Sequence, residues 1–196
     1  MARIEQKQNT TVRMANWYTR RSYGRDTEIA GVMAHSRANL RGYGTFEWFH
    51  ERSHAVAEKL KALAATKAAC LVGCQFCLDI GSHLSRQAGV TEEQLRNLHA
   101  YRESPAFSAV ERLVLEYAEE MCQTPVAVTD ELFARLREHF DDGQIVELTT
   151  AIALENFRAR FNNALDIVPA GFSSGEYCAV PDAVARAAQE AERTSA

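Results

Sequence analysis

The sequence predicts an all-α fold, a single-domain helical bundle. Apolar side chains recur at three- and four-residue spacing, most clearly where Val56, Leu60, Leu63 and Ala64 share one helix face. Only 4 prolines occur, and none lies inside a strongly periodic segment. Alternating patterns typical of strands extend over no more than a few residues. We therefore expect seven or so helices and no sheet.

Length and charge restrict the class of protein. The chain has 196 residues, enough for one domain with a sizeable core, and a net charge of −4. We divide it into an N-terminal arm (1–27), a helical domain (28–168) and a C-terminal loop with a short helix (169–196). A net negative chain lacks the positively charged surface that binds a phosphate backbone, so we expect no nucleic-acid partner. The sequence has no secretory signal and no apolar run near the roughly 20 residues that cross a bilayer, so we expect a cytoplasmic protein without a membrane partner.

The elements are expected in a definite order. Two short helices, residues 31–40 and 46–53, should flank the glycine pair Gly42 and Gly44. A stronger helix should start at Ala55, break at Gly73 and resume at Cys74. Further helices are expected at residues 91–98, which start with a Thr91/Gln94 capping box, and at 105–122, with Ser104 as N-cap. A helix at 129–140 should have Thr129 as its cap. The longest helix is expected at 141–167, and a short or frayed one from 182.

Three of the 5 cysteines lie in the stretch CLVGCQFC, between Cys70 and Cys77. A tight cysteine cluster in a reducing compartment is more often metal-binding or redox-active than structural. Its C-x3-C-x-φ-C spacing matches the iron–sulfur site of radical enzymes. Those enzymes place the motif after the first strand of a barrel, whereas the flanks here are helical and the chain is short. We therefore do not expect an iron–sulfur cluster.

Just upstream, HERSH spells the H-E-x-x-H pattern of zinc proteases. His50 and His54 would share one helix face and could reach one zinc ion. Arg52 between them is electrostatically unfavourable beside a divalent metal, and Leu60 stands where the longer pattern needs a third histidine. The ligand set is incomplete, so a protease is not expected.

The remaining feature is a C-x-x-C pair, Cys74 and Cys77, at a predicted helix start. Two cysteines at this spacing can close a disulfide, and helix N-terminal amides favour a thiolate there. A thiolate can reduce a hydroperoxide, and the second cysteine then resolves the sulfenic acid. Two alternatives stay open at this point. The pair can be two ordinary buried cysteines, or it can form a Cys2His2 zinc site with His50 and His54.

Three sequence motifs are similar to those of a known protein family. The similarity covers residues 60–167, and a weaker similarity begins at about residue 28. The motifs are GCQFC at a helix start, FDDGQIVELT at the next long helix start, and NFRARFNNAL near its end. With these motifs the chain resembles the alkylhydroperoxidase D-like/carboxymuconolactone decarboxylase family. The resemblance implies a helical bundle of the alkylhydroperoxidase D-like type and a homo-oligomer, often a trimer or hexamer. In its peroxidase branch the C-x-x-C pair is the reaction centre, which implies catalytic roles for Cys74 and Cys77. In that branch the second cysteine, here Cys77, attacks the peroxide. The helix dipole, however, should favour a thiolate more strongly at Cys74, which lies nearer the helix start.

The chain departs from this branch at both members of the proton relay. Gly81 stands in place of the histidine, and Ala62 in place of the glutamate. A substitute would have to come from the candidates His50, His54, Glu58, His83 and Glu147. Of these, His83 should point away from Cys77, and a structural role is favoured for Glu147. Asp79 is expected to be an exposed or salt-bridged acid.

The sequence therefore predicts a thiol peroxidase that reduces a small hydroperoxide and needs no cofactor. An external dithiol or disulfide reductase would restore the pair. The alternatives are a zinc-binding helical module, or a family member without peroxidase activity. The latter includes lactone decarboxylase-like chemistry, although the branches with that activity generally lack C-x-x-C.

Overall fold

The computed structural model describes residues 2–185 and 187, and this part of the chain is helical without strands, as predicted. Residues 10–165 contain nine α-helices, more than expected, and a short 3-10 helix, Leu98–Ala100. The α-helices are α1 (Thr10–Tyr23), α2 (Ile29–Met33), α3 (Arg37–His50), α4 (Glu58–Val72), α5 (Gln75–Gln87), α6 (Glu92–Arg96), α7 (Ala109–Cys122), α8 (Asp130–Arg137) and α9 (Asp142–Leu165).

Helix α4 lies at the centre of the bundle and packs against α5, α7 and α9. Its buried face includes Leu63, Ala64 and Ala68, and the small alanines let neighbouring helices approach closely. One part of the core lies between α4, α7, α8 and α9. The other part lies between α4, α5 and the C-terminal segment, residues 166–185, and it contains three of the cysteines. The C-x-x-C pair is thus part of the core.

The two short helices predicted around the glycine pair are wrong, because α3 runs through both glycines without a break. Neither Gly42 nor Gly44 approaches another group closely, and each costs only about 1 kcal/mol relative to alanine in a helix. Contacts with α9 favour the continuous helix. Tyr43 packs on Phe157 with ring centroids 5.7 Å apart, and Glu47 one turn later is ion-paired with α9.

Several predicted caps are present, and one is wrong. The Thr91/Gln94 capping box and the Thr129 cap are confirmed. Helix α7, however, starts after Ser108 rather than Ser104. Ser108 and Glu111 form a reciprocal capping box, which satisfies two backbone amides and fixes the start there.

The predicted start of α4 at Ala55 is also wrong, because the helix begins at Glu58. The backbone N–H groups of Ala55 and Val56 donate to the carboxylate of Glu147 on α9 instead, at 2.9 and 3.3 Å. This long-range acceptor holds the three preceding residues out of the helix.

Both ends of the described chain lie against the bundle. The Arg3 N–H donates to the Leu165 carbonyl at 2.8 Å, and the Lys7 N–H to the Gly31 carbonyl at 3.0 Å. Residues 182–185 are helical, as predicted, but most of the predicted C-terminal helix lies outside the described residues. The division into arm, domain and C-terminal segment stays a prediction. Within the described residues, no helix has both the length and the apolar character to span a membrane.

Candidate active site

The junction between α4 and α5 sets the geometry of the cysteine pair. Helix α4 ends at Gly73, whose φ of 74° is in the left-handed region that glycine adopts without strain. The next residue, Cys74, is extended and forms the N-cap of α5. Cys77 follows in the first turn of α5, so the two side chains point to the same end of the helix.

Cys74 and Cys77 are joined by a disulfide, with their Cα atoms 5.2 Å apart. The Cys74 sulfur also accepts a hydrogen bond from the Cys77 backbone N–H at 3.2 Å. A helix N-terminus stabilises negative charge on a sulfur in this position. Both residues are buried, with relative exposures of 0% for Cys74 and 4% for Cys77. The two sulfurs therefore meet the geometric requirement for a redox-active pair.

A polar side chain that the sequence analysis missed faces the disulfide from α9. The Asn162 Nδ2 lies 3.4 Å from the Cys77 sulfur and 4.0 Å from the Cys74 sulfur. Asn162 is 2% exposed and lies on the inner face of α9 with Glu155 and Ala159. Heptad-like spacing within FRARFNNAL would have placed it on that face, but only the fold shows that the face meets the cysteines.

The other three cysteines are free thiols. Cys70 precedes the pair on α4 and is buried in the same part of the core. Burial raises the pKa of the Cys70 thiol well above its usual range, which keeps it protonated. Burial also raises the pKa values of Cys122 and Cys178, which are half-buried.

The predicted relay histidine His54 and its neighbour Glu58 form an exposed pair, Nδ1 to Oε1 at 2.8 Å. Glu58 also pairs with Lys61 at 3.0 Å. His50 lies at the end of α3, and its ring stacks on Phe46. Its pKa is lowered, chiefly by burial. The contacts of these three candidates run to groups other than the disulfide, and their relay roles stay predictions.

The last two relay candidates are also engaged elsewhere. The His83 Nε2 lies 3.0 Å from the amide of Gln87, and its ring packs near Phe172. Glu147 accepts the Ser53 hydroxyl at 2.5 Å and pairs with Lys61 at 2.8 Å. These contacts, together with two backbone amides, lower the Glu147 pKa to about 2 in spite of burial. Glu147 thus fixes the chain before α4.

The zinc alternative required Cys74 and Cys77 to meet His50 and His54. Across residues 2–185 and 187, no three His, Cys, Asp or Glu side chains are grouped so that they could hold a metal ion. His54 is bound to Glu58, and the two cysteines are bound to each other. The geometry therefore does not support this alternative.

Asp79 is neither exposed nor salt-bridged, contrary to expectation. It is 5% exposed, and its carboxylate accepts the backbone N–H groups of Gly171, Phe172 and Ser173 at 2.7 to 3.0 Å. Hydrogen bonding to three amides satisfies a buried carboxylate without a cation. The helix that carries the disulfide is thereby joined to the C-terminal segment.

Two comparisons decide the family. The model of the carboxymuconolactone decarboxylase family matches residues 27–120. Over 135 residues the chain is 36% identical to the uncharacterized protein YnjA of Escherichia coli K12, covering 69% of this chain and 71% of YnjA. This chain belongs to the carboxymuconolactone decarboxylase family. Its C-x-x-C pair and its helical bundle are those expected for the alkylhydroperoxidase D-like members, and they fit a redox role.

Solved structures agree with this family fold. A protein of unknown function from Agrobacterium tumefaciens, ATU0492, described as a candidate antioxidant defence protein AhpD, is 26% identical. It aligns with a TM-score of 0.64 over 68% of this chain and 92% of its own. The debrominase Bmp8 aligns with a TM-score of 0.75 over 85% of this chain and 91% of its own. At 18% identity, Bmp8 shares the fold alone.

The two positions at which the chain departs from the peroxidase branch of the family are Gly81 on α5 and Ala62 on α4. A Cβ at Gly81 would lie 3.5 Å from the Thr66 hydroxyl of α4. Thr66 and Ser85 are buried and hydrogen-bonded to each other at 2.8 Å. Ala62 packs against the part of the core that contains the disulfide. Neither position therefore carries an ionisable side chain.

Proposed function

We propose that this protein is a thiol–disulfide oxidoreductase that reduces a small hydroperoxide with Cys74 and Cys77. The observation that carries the proposal is the geometry of the pair. Two cysteines one helical turn apart are bonded at the N-terminus of α5, and both sulfurs face an N–H donor. Donors of this kind stabilise the thiolate, which is the reactive form of a cysteine.

The chemistry needs a hydroperoxide and two external thiols. The thiolate of one cysteine attacks the terminal peroxide oxygen, the O–O bond breaks, and the products are a sulfenic acid and an alkoxide that takes up a proton. The thiol of the second cysteine then attacks the sulfenic sulfur, which forms the disulfide and releases water. Two external thiols, or one dithiol, reduce the disulfide and are oxidised themselves. The net products are an alcohol, water and the oxidised thiol donor.

We assign the attack to Cys77 and the resolving role to Cys74. Cys77 is the more exposed of the two. The Cys74 sulfur accepts the Cys77 N–H at the helix N-terminus, so it is suited to leave as a thiolate when an external thiol opens the disulfide at Cys77. The same contacts therefore support both halves of the cycle.

The experiment is hydroperoxide consumption by the full-length protein with dithiothreitol as electron donor. Cys77→Ser should reduce turnover to the rate of dithiothreitol alone, and Cys74→Ser should reduce it to the rate at which dithiothreitol itself reduces the Cys77 sulfenic acid. Cys74→Ser should still consume one equivalent of hydroperoxide in a single turnover, because Cys77 remains, whereas Cys77→Ser should consume none. Cys122→Ser is the matched control and should retain turnover, because the Cys122 thiol is free and accepts a hydrogen bond from the Asn156 amide on α9.

Two results would contradict the proposal in different ways. If both serine variants match the parent, the pair is not the reaction centre. If the parent consumes hydroperoxide no faster than the free dithiol, yet its disulfide is still opened and closed by thiol donors, the oxidoreductase part stands and the peroxidase part is wrong.

We also propose that the protein is a homo-oligomer, a trimer or hexamer as in related family members. An apolar groove of about 710 Å³ lies between α3 and α9, and it is lined by exposed aromatic side chains that include Phe46 and Phe157. Exposed apolar patches of this kind mark association surfaces. Analytical ultracentrifugation should find an oligomer that a Phe46→Ser/Phe157→Ser double variant dissociates, whereas Val126→Ser, at another exposed apolar site, should not. A monomeric parent would contradict this.

A further inference from the structure

The amide of Asn162 is a buried donor aimed at both sulfurs of the pair. It approaches Cys77 to 3.4 Å and Cys74 to 4.0 Å from the last turns of α9. Asn162 belongs to a different helix from the pair, so the contact is fixed by the packing of α9 on α5 rather than by local sequence. A buried polar side chain normally has a hydrogen-bond partner, and among the described residues the Asn162 Nδ2 donates to the two sulfurs.

Cysteine pairs in apolar surroundings are poor nucleophiles unless something stabilises their charge. Cys70, in the same part of the core, shows the effect, because burial raises the pKa of its thiol. An N–H donor to the sulfur acts in the opposite direction, since it favours the ionised form. An asparagine amide neither binds nor releases a proton near neutral pH, so it can stabilise charge but cannot carry a proton.

Three charged groups on neighbouring elements have contacts with other charged groups or with the backbone. On α4 and the C-terminal segment, Lys67 is ion-paired with Asp182 at 2.5 Å. On α9, Glu155 accepts a hydrogen bond from Arg158 at 3.2 Å. On α5, Asp79 accepts backbone amides, as described above. His83, further along α5, contacts Gln87, and burial raises the pKa values of the Cys70 and Cys178 thiols, which keeps them protonated.

We propose that Asn162 is a catalytic residue of the cysteine pair, which stabilises the Cys77 thiolate by a direct N–H to sulfur hydrogen bond. The proposal rests on the proposed function. Reactivity at this site then depends on fixed dipoles, the Asn162 amide at Cys77 and the Cys77 backbone N–H at Cys74. A proton-shuttling side chain at Ala62 or Gly81 is not needed to form the nucleophile.

The test is the pH dependence of Cys77 alkylation by iodoacetamide in the reduced full-length protein, followed by peptide mass spectrometry. Asn162→Ala should move the midpoint upward by about one pH unit, a tenfold loss of thiolate at neutral pH, which corresponds to one charge-assisted hydrogen bond. Asn162→Leu fills the same space without a hydrogen-bond donor and should shift the alkylation midpoint equally. This variant separates loss of the donor from the effect of a cavity. The hydroperoxide rate should fall in parallel and recover above the shifted midpoint.

Asn156→Ala is the matched control. It removes an amide that lies 3.1 Å from the Cys122 sulfur on the same helix, so it should leave the Cys77 midpoint unchanged. An unchanged midpoint in folded Asn162→Ala and Asn162→Leu would overturn the proposal. A shifted midpoint in a protein that consumes no hydroperoxide would support the role of Asn162 at the sulfur and refute the peroxidase function instead.

Discussion

The carboxylate of Asp79 accepts the backbone N–H of Ser173 at 2.8 Å, across 94 residues of sequence. The Ser173 hydroxyl donates in return to the Asp79 carbonyl at 2.7 Å. Asp79 follows Cys77 by two residues on α5, so this reciprocal contact holds the C-terminal segment against the helix that bears the disulfide. The segment contributes Phe172 and Ala179 to the same part of the core.

Asp79→Asn should destabilise the protein by about 2 kcal/mol, because the amide can accept only at one oxygen and its NH2 would face a backbone N–H. Urea unfolding at pH 7 measures this, and proteolysis within residues 166–185 should become faster. Asp142→Asn is the control, since the Asp142 side chain is 84% exposed and its ion pair contributes little. Equal stability of Asp79→Asn and the parent would contradict the prediction.

Glu147→Gln should destabilise the protein at neutral pH but much less at pH 3. The folded-state pKa of about 2 lies below the unfolded value, so the stabilisation is present above about pH 4.3 and is lost as pH falls through 2. The shift corresponds to at most about 3 kcal/mol. Denaturant unfolding at both pH values checks this, with exposed Glu138→Gln as control. A difference independent of pH would argue against a charged Glu147.

Glu155→Gln should stabilise the protein at neutral pH, whereas Glu147→Gln should destabilise it. Burial raises the Glu155 pKa to about 7, and its Oε1 has no hydrogen-bond partner among the described residues. Because the folded-state pKa exceeds the unfolded value, the parent loses stability as pH rises from about 4 to 7. The variant should therefore become more stable relative to the parent over this interval, by up to about 4 kcal/mol. Parallel pH–stability curves would contradict this.

Cys70→Ala should leave the redox chemistry intact, although Cys70 lies four residues before Cys74. Its thiol is buried and protonated, and it is not part of the disulfide. We expect hydroperoxide turnover within about twofold of the parent, together with a loss of roughly 1 kcal/mol for the small cavity. Turnover and thermal unfolding measure the two effects. A loss of turnover without a loss of folding would show that Cys70 takes part in the cycle.

Local signals in the sequence predicted much of the fold. The Thr91/Gln94 box and the Thr129 cap were predictable because both partners lie within one helical turn. The junction between α4 and α5 was predictable for the same reason, because Gly73 and the C-x-x-C pair are neighbours in the sequence. Errors arose where distant contacts decide. The packing of Tyr43 on Phe157 and the ion pair of Glu47 with Arg158 carry α3 through both glycines, against their helix propensity.

The cysteine pair was predictable from its spacing, but its surroundings were not. Asn162 reaches the pair from a helix 85 residues further along the chain, and no local pattern indicates which face of α9 meets α5. The prediction for Asp79 is wrong for the same reason. Its partners are backbone amides of a loop 92 to 94 residues away, and a sequence does not show which acidic side chain will accept them.

The most direct measurement is a thiol count on the fully reduced protein after one equivalent of cumene hydroperoxide in the absence of reductant. The chain has 5 cysteines, and we expect five free thiols to fall to three within one turnover. Peptide mass spectrometry should locate the new disulfide between Cys74 and Cys77, with one equivalent of alcohol formed. Five remaining thiols, or loss of thiols at Cys70, Cys122 or Cys178 instead, would contradict the account.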